Sequence, residues 1–261
     1  MPAREQRLCS CWDSLDVSPI EVHLQMNQRS TARDDTCQRT GESRFREPSS
    51  DSVGTGVVQN LNGFRLPADF RGRPAWFVQM WWVVQATLFR MSPQALYGWR
   101  RFLLRLFGCT VGQGVLVRPT AEITYPWKVS IGDFSWIGQG VTLYSLGKIH
   151  IGDNVVISQN SYICTGSHDI GTPTFEIYQK PIFIEAEAWI ATDVFVAAGV
   201  RVGRGAVVGA RSTVLHDLPP MMVCVGNPAK PIRPRLMPEI GCDVGISTTS
   251  YSLARANGPE G

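Results

Sequence analysis

Aliphatic side chains recur at every sixth position over much of the chain after Gly108. The residues between them are mostly small, polar or acidic. The repeated aliphatic positions are Val111, Val117, Ile123, Ile131, Ile137, Leu143, Ile151, Ile157, Ile163, Ile184, Ile190, Val196, Val202, Val208 and Val214. A period of six is a multiple of the strand period of two and does not match the helical period of 3.6. The pattern therefore predicts short β-strands joined by tight turns.

Each six-residue unit predicts one strand and one turn, with the aliphatic side chain pointing inward. A single unit cannot bury this face alone, so successive units have to stack into a parallel β-solenoid. Fifteen such positions, at three units per coil, predict roughly five coils. The register slips by two residues after Ile123 and again after Leu143.

The repeat is interrupted between Ile163 and Ile184, where 21 positions separate residues that the period would place six apart. A solenoid accommodates the 15 additional residues as a loop leaving one corner, and loops on rigid scaffolds often carry function. His168 lies at the start of this interruption, in the stretch ICTGSHDIGTPTF. Because histidine can accept a proton near neutral pH, His168 is the first candidate for a general base.

The segment before the repeat is apolar and carries many aromatic residues. Residues 75–89, AWFVQMWWVVQATLF, contain no charge, but the run is shorter than the roughly 20 residues that a bilayer-spanning helix needs. In ALYGWRRFLLRLFG (95–108), the side chains of Trp99, Phe102, Leu103 and Leu106 recur at helical spacing between arginines. Two interpretations stay open: two helices packed on the main domain, or an interfacial surface that contacts lipid headgroups through residues 75–107.

The chain divides into four segments by these patterns. We expect a disordered polar extension at 1–58, because this stretch has no sustained hydrophobic period. A helical segment follows at 59–108, and the β-helix is expected at 109–218 with an inserted loop at 168–182. A segment with a flexible tail, 219–261, completes the chain.

Charge and cysteine content narrow the class of function. The formal net charge of +3 is too small to favour a nucleic-acid partner. The seven cysteines are an odd number without regular spacing, and the N-terminus has no apolar stretch typical of a secretory signal. We therefore expect reduced thiols and a cytoplasmic protein, with peripheral contact at the inner membrane if the interfacial interpretation holds.

Several stretches that the repeat does not require resemble the hexapeptide-repeat acetyltransferases, specifically the colanic-acid-type branch of the maltose and galactoside O-acetyltransferase group. They are WRRFLLRLFG (99–108), ITYPWKVSIGDFSWIG (123–138), ISQNSYICTGSHD (157–169), AWIATDVFVAAGVRVG (188–203) and VGNPAKPIR (225–233). The resemblance implies an all-β fold, a left-handed parallel β-helix with an N-terminal helical segment. It also implies a homotrimer that transfers acetyl from acetyl-CoA to a sugar hydroxyl of an exopolysaccharide or other surface-polysaccharide precursor.

The resemblance also implies roles for individual residues. The T-G-S-H stretch matches the family at His168, which makes His168 the implied catalytic base. The implied acetyl-CoA-binding residues are Trp189, Thr192, Ala210, Leu215, His216, Lys230 and Arg233. Trp189 and Thr192 are expected beside the thioester, Ala210 along the pantetheine arm, and the remaining four toward the nucleotide. The family often has glycine where this chain has Arg211, so no role is carried over to Arg211.

Other functions remain as alternatives. The interrupted solenoid could be a non-catalytic scaffold whose loop binds a partner. His150 precedes His168 by 18 residues and would lie one coil below it if the register did not slip. Two stacked histidines would suggest a metal site like that of the hexapeptide carbonic anhydrases. Zinc in those proteins needs three histidines with a close H-x4-H pair. The sequence has no such pair, so no metal is expected. A lipid-linked oligosaccharide acceptor would give residues 75–107 a reason to contact the membrane.

Overall fold

A computed structural model describes residues 57–236 of the 261-residue chain. Most of the predicted disordered extension at 1–58 and most of the predicted tail therefore lie outside the described residues. The described part is a solenoid of short parallel strands preceded by two helices. The predicted fold class, an all-β left-handed parallel β-helix with an N-terminal helical segment, is confirmed.

Each coil of the solenoid contributes one strand to each of three parallel sheets, which form its three faces. Sheet 1 contains β1 (Thr110–Val111), β4 (Val129–Ile131), β7 (Ile149–Ile151), β12 (Ile182–Ile184) and β15 (Arg201–Val202). Sheet 2 contains β2 (Leu116–Val117), β5 (Trp136–Ile137), β8 (Val156–Ile157), β13 (Trp189–Ile190), β16 (Val207–Val208), β18 (Met222–Gly226) and the antiparallel β19 (Ala229–Pro234). Sheet 3 contains β3 (Glu122–Ile123), β6 (Thr142–Tyr144), β9 (Tyr162–Cys164), β14 (Phe195–Val196) and β17 (Thr213–Val214).

The strand register explains the slips in the sequence pattern. The inward positions of sheet 1 follow one another at intervals of 20, 20, 33 and 18 residues, namely Val111, Ile131, Ile151, Ile184 and Val202. The first intervals exceed 18 by two residues, and in the first coil a 3-10 turn at Pro126–Lys128 lies in this added length. All fifteen predicted aliphatic positions are buried. Five coils are complete, and a sixth begins where Leu218 bridges to Val202 and continues into β18.

Two helices close the end of the solenoid at its first coil. Helix α1 (Ala75–Val84) continues as a π-helical turn at Gln85–Phe89, and α2 (Tyr97–Leu106) follows. The Trp81 indole N–H donates to the carbonyl of Ile123 at 2.7 Å, and the Ile123 amide donates to the side-chain oxygen of Gln85 at 2.7 Å. Residues 75–106 are called the helical cap below.

Arginines of α2 satisfy carbonyls at the edge of the first coil. Strands β1 and β2 are the first of their sheets, so one edge of each has no neighbouring strand. Arg100 donates to the carbonyl of Val117 at 2.7 Å, and Arg105 donates to that of Val111 at 2.7 Å. Arg101 donates in the same way to the carbonyl of Val115 at 2.9 Å. Because unpaired buried backbone groups are costly, these contacts stabilise the open end of the solenoid.

The buried thiol of Cys109 makes stability sensitive to alkaline pH. Burial raises the pKa of Cys109 to about 12 from an ordinary value of 9.0, and the S–H donates to the carbonyl of Val129 at 3.2 Å. The folded chain therefore keeps a proton that the unfolded chain loses, so this contribution to stability is complete below about pH 9 and is lost progressively toward about pH 12.

We expect the difference in unfolding free energy between the wild type and Cys109→Ala to shrink as pH rises above about 9. Urea unfolding of both chains at neutral and alkaline pH measures this difference. Other alkaline-sensitive groups, such as Tyr162, are present in both chains and cancel. A difference that stays constant with pH would contradict the assignment.

Candidate active site

The interruption of the repeat folds as a β-hairpin at the corner between sheets 3 and 1. Strand β10 (Gly166–His168) leaves this corner directly after β9, and the antiparallel β11 (Ile177–Gln179) returns to β12. His168 lies opposite Ile177, at the end of the hairpin farthest from the solenoid. The departing and returning segments pair because they start and finish at the same corner, which holds His168 on a strand.

One ring nitrogen of His168 has a hydrogen-bond partner in the protein. Its Nδ1 lies 2.8 Å from the carbonyl oxygen of Phe175. A carbonyl only accepts, so Nδ1 carries the proton, and in the neutral ring the lone pair lies on Nε2. The Phe175 ring stacks on the imidazole with centroids 4.2 Å apart and planes 9° from parallel. The imidazole is therefore oriented on one edge and covered on one face.

Phe175 holds its carbonyl in place through an unusual backbone conformation. Its φ of +53° lies in the left-handed region, which is unfavourable for a residue with a side chain. The Phe175 amide donates to the carbonyl of Thr172 at 3.0 Å, and the Asp169 amide donates to that of Glu176 at 2.7 Å. The Asp169 carboxylate accepts from the Gly171 amide at 2.8 Å, so its side chain supports the loop.

The chain preceding the cap closes one side of the hairpin loop. The Asn60 amide donates to the carbonyl of Pro173 at 2.7 Å, and the short 3-10 helix Leu61–Gly63 follows. The Phe64 ring lies 6.3 Å from the His168 ring. Phe64 and Phe175 thus both border the histidine. The sequence contains no signal for the role of Phe64, because residues 59–74 lack a period.

A cavity of about 350 Å³ lies on the outer face of sheet 3, beside the cap. Its lining combines aromatic faces with hydroxyl, amide and carboxylate groups from Trp82, Gln85, Glu122, Ile123, Thr124, Thr142, Tyr144 and Tyr162. Tyr144 and Ile177 both pack on the small apolar cluster around Leu146, so the cavity wall and the His168 hairpin share support. Burial raises the pKa of Tyr144, and it raises that of Tyr162 to about 12, so both hydroxyls remain protonated and can donate.

Two of the predicted cofactor residues share a row on sheet 2. Successive strand partners across this face are Trp189, Val207, Val223 and Arg233. The Trp189 indole is partly exposed and donates to the hydroxyl of Ser158 at 3.0 Å. Arg233 and Lys230 both lie exposed on β19 after the turn at residues 227–228. The G-N-P-A-K stretch thus builds a hairpin that presents both cations.

Thr192 and Ala210 lie one coil apart at the corner between sheets 2 and 3. The Thr192 hydroxyl donates to the carbonyl of Gln159 at 2.9 Å, and Ala210 is exposed. Arg211 follows with φ of +58°, a conformation that explains why the resembling family often has glycine there. The Arg211 side chain lies 3.6 Å from the Asp193 carboxylate.

The predicted site residues do not all meet in one chain. Leu215 and His216 are exposed directly after β17, at the corner between sheets 3 and 1 from which the His168 hairpin leaves. Trp189 and Arg233 lie on sheet 2, which does not border that corner. A single solenoid therefore separates His168 from part of the predicted cofactor set.

His150 is not stacked below His168, because the hairpin interrupts the register on which that expectation depended. It lies on sheet 1, with Nδ1 2.9 Å from the Ser130 hydroxyl and its ring stacked on Phe183 at 4.9 Å. The partner of His150 in the next coil is Phe183, 33 residues later, because the hairpin that carries His168 interrupts this coil. Across residues 57–236, no group of three histidine, cysteine, aspartate or glutamate side chains is placed to hold a metal ion.

Comparison with known proteins identifies acetyltransferases that are similar to this chain in sequence and in fold. No protein-family model matches the chain. The chain is 56% identical over 182 residues to WcaF of Escherichia coli K12, which is named as a colanic acid biosynthesis acetyltransferase. This match covers 70% of the present chain and the whole of WcaF.

Two solved structures resemble the described fold. A maltose O-acetyltransferase from Clostridium difficile 630 superimposes with a TM-score of 0.58 at 27% identity, covering 63% of this chain and 90% of that one. The hexapeptide-repeat acetyltransferase VCA0836 of Vibrio cholerae O1 biovar eltor, solved with acetyl coenzyme A, superimposes with a TM-score of 0.57 at 26% identity. That match covers 62% of this chain and 88% of that one.

Proposed function

The chain belongs to the hexapeptide-repeat acetyltransferases of the colanic acid type, and on this premise we propose that it transfers acetyl from acetyl-CoA to a sugar hydroxyl of a surface-polysaccharide precursor. The observation that carries the proposal is the fixed His168 ring. Its Nδ1 is committed to the Phe175 carbonyl, which leaves Nε2 as the basic nitrogen. A histidine that lies on a strand, where the six-residue repeat of a rigid solenoid is interrupted, is suited to general base catalysis.

The proposed reaction is a direct transfer. Nε2 of His168 takes the proton of the attacking hydroxyl while the oxygen bonds to the thioester carbonyl carbon. The carbon–sulfur bond then breaks, and the proton passes from Nε2 to the leaving sulfur of coenzyme A. The aromatic face of Phe175 favours the transient imidazolium.

Cys164 is a poor rival nucleophile. Burial raises the pKa of the Cys164 thiol, and the Sγ lies 3.1 Å from the carbonyl of Gly166. The reactive form of cysteine is the thiolate, which this environment disfavours. A covalent acyl-cysteine step is therefore no part of the proposed mechanism.

The acceptor is proposed to occupy the cavity on sheet 3. Tyrosine and tryptophan faces pack against the apolar side of sugar rings, while the hydroxyls of Tyr144 and Thr142 and the Glu122 carboxylate can bond to sugar hydroxyls. The cavity and the His168 hairpin are supported by the same apolar cluster.

The separation of site residues supports a homotrimer with the cofactor between neighbouring solenoids. His168 lies at the corner that does not border sheet 2, whereas Trp189 and Arg233 lie on sheet 2. In the proposed assembly, His168 of one copy of the chain faces these residues of a second copy. The assembly thereby completes a site that one chain leaves divided.

A product analysis tests the proposed reaction. The full chain is incubated with acetyl-CoA and a panel of free, nucleotide-linked and lipid-linked sugars, and products are examined by mass spectrometry. We expect an acetylated sugar whose acetyl group is removed by mild base, as an ester requires. An acetyl group that resists base would indicate an amide, and acetyl transfer to no sugar in the panel would overturn the proposal.

Replacing Arg233 with alanine is expected to raise the KM for acetyl-CoA on the order of tenfold with little change in kcat, because a phosphate-binding cation away from the reacting atoms contributes uniform binding. Steady-state kinetics at saturating acceptor measures this split. Arg204→Ala removes an exposed arginine that pairs with Glu187 and serves as the matched control. Equal effects from the two variants would contradict a cofactor role for Arg233.

A further inference from the structure

Helix α1 has apolar side chains on both of its faces. Val78 and Trp81 are buried against the solenoid, whereas Trp76 and Val83 are 66% and 63% exposed. At 100° per residue, the exposed row of Trp76, Met80 and Val83 lies on the side of the helix opposite to the buried one. A helix that is apolar all round is normally covered on all sides. The outer face of α1 is therefore a contact surface.

The rest of the helical cap extends this surface. Phe102 and Leu106 of α2 are 53% and 61% exposed, and Leu88 in the π-helical turn is also exposed. The Trp99 indole donates to the carbonyl of Leu88 at 3.0 Å and its ring stacks on that of Phe102 at 5.7 Å. These contacts hold large aromatic groups at the surface in defined positions.

Basic residues outnumber acidic ones in and around the helical cap. No acidic residue occurs between Asp69 and Glu122 in the sequence. The same interval contains seven arginines: Arg71, Arg73, Arg90, Arg100, Arg101, Arg105 and Arg118. Arg100 is buried and Arg90 pairs with Glu122 at 3.0 Å, so the positive charge of this surface comes from the other five. Such a surface attracts an anionic partner, and a second copy docking cap to cap would bring like charges together.

The cap lies at one end of the solenoid, where a flat surface can contact it. The buried face of α1 packs on the first coil, so its exposed row points away from the end of the solenoid. Trp82 of the cap also lines the cavity on sheet 3, so the cavity opens beside the same end of the molecule. Within residues 57–236, no helix has the length and apolar character needed to cross a bilayer.

We propose that the helical cap docks on the surface of an anionic lipid bilayer. The exposed row of α1 and the side chains of Phe102 and Leu106 enter the boundary between headgroups and acyl chains, while the surrounding arginines attract the headgroups. The docked chain holds the sheet 3 cavity near the membrane, where a lipid-linked sugar would reach it. This last consequence rests on the proposed function, whereas docking itself does not.

Vesicle flotation of the full chain tests the proposal. We expect the wild type to float with phosphatidylcholine vesicles that contain phosphatidylglycerol, and to remain unbound with phosphatidylcholine alone. The combined variant Trp76→Ser, Met80→Ser, Val83→Ser is expected to reduce partitioning by at least about tenfold, since apolar burial supplies part of the binding. The matched control Val57→Ser, Val58→Ser, Leu236→Ser removes three exposed apolar side chains outside the cap and should bind like the wild type.

Several results would overturn docking. They are no flotation of the wild type, equal flotation with neutral vesicles, or equal loss in the two triple variants. If the exposed face of the cap instead binds a second copy of the chain, light scattering without vesicles would give a smaller mass for the Trp76→Ser, Met80→Ser, Val83→Ser variant (the cap variant) than for the wild type. Acetyl transfer to a water-soluble acceptor separates this test from the proposed function, because the cap variant should retain that transfer whether or not it binds vesicles.

Discussion

Replacing His168 with alanine is expected to lower kcat for acetyl transfer by about 10²- to 10⁴-fold, the range that general base catalysis typically supplies. The attacking hydroxyl then has to lose its proton to water. The KM for acetyl-CoA should change little, because His168 lies on the hairpin and the proposed cofactor cations lie on β19. The decrease in kcat is measured as the rate at which the coenzyme A thiol is released, with and without acceptor.

His150→Gln is the matched control for this variant. His150 is also a half-buried histidine with one hydrogen bond and one stacked ring, but it lies on a strand of sheet 1, and its partners Ser130 and Phe183 are not part of the hairpin. Its substitution should leave kcat within about twofold, as expected for a change outside the site. Undiminished turnover of His168→Ala, or equal losses in both variants, would be incompatible with His168 as the base.

Trp81→Ala is expected to lower the free energy of unfolding by about 3–5 kcal/mol, the usual cost of deleting a large buried aromatic side chain. The Trp81 ring is fully buried and packs against Phe89 and Phe107 at centroid distances of 6.1 and 5.1 Å. Its indole also bonds to the carbonyl of Ile123, a residue of the first coil. The substitution therefore opens a cavity and leaves an edge carbonyl without its donor.

Urea unfolding of the full chain measures this change, with Trp76→Ala as the control. Trp76 is deleted by the same chemical change on the same helix, but its side chain is mostly exposed, so the expected change is within about 0.5 kcal/mol. Similar destabilisation by both substitutions would contradict the role of the cap in completing the solenoid core.

The fold was largely predictable from the sequence because each coil repeats the same local requirement. An inward aliphatic residue every six positions identifies the strands without knowledge of distant contacts, and Val117 or Ile157 can be assigned from its neighbours alone. The handedness of the solenoid came only from the family resemblance. The arginines of α2 alternate with apolar residues at helical spacing, which predicts a helix but not the partners of the arginines. Their bonds to the carbonyls of Val111 and Val115 depend on which strand edges remain open, and a pattern does not show this.

The candidate site was predictable only in part. The interruption of the repeat singled out His168, because a break in a regular pattern is a local signal. Its partner carbonyl on Phe175 depends on how the loop turns back, and Phe64 approaches from more than 100 residues earlier in the chain. Tyr144 and Tyr162 are neighbours of the inward residues Leu143 and Ile163, so the repeat places them on the outer face and indicates nothing more. Their position in a cavity depends on the packing of the cap against sheet 3.

The most direct test of the proposed mechanism is the acetyl-transfer rate of His168→Asn. The asparagine amide can still donate a hydrogen bond to the Phe175 carbonyl, as Nδ1 of the histidine does, but it has no basic nitrogen. We expect a folded chain whose transfer rate falls by at least about 100-fold, as in His168→Ala. A transfer rate within about twofold of the wild type would contradict the assignment of Nε2 as the general base.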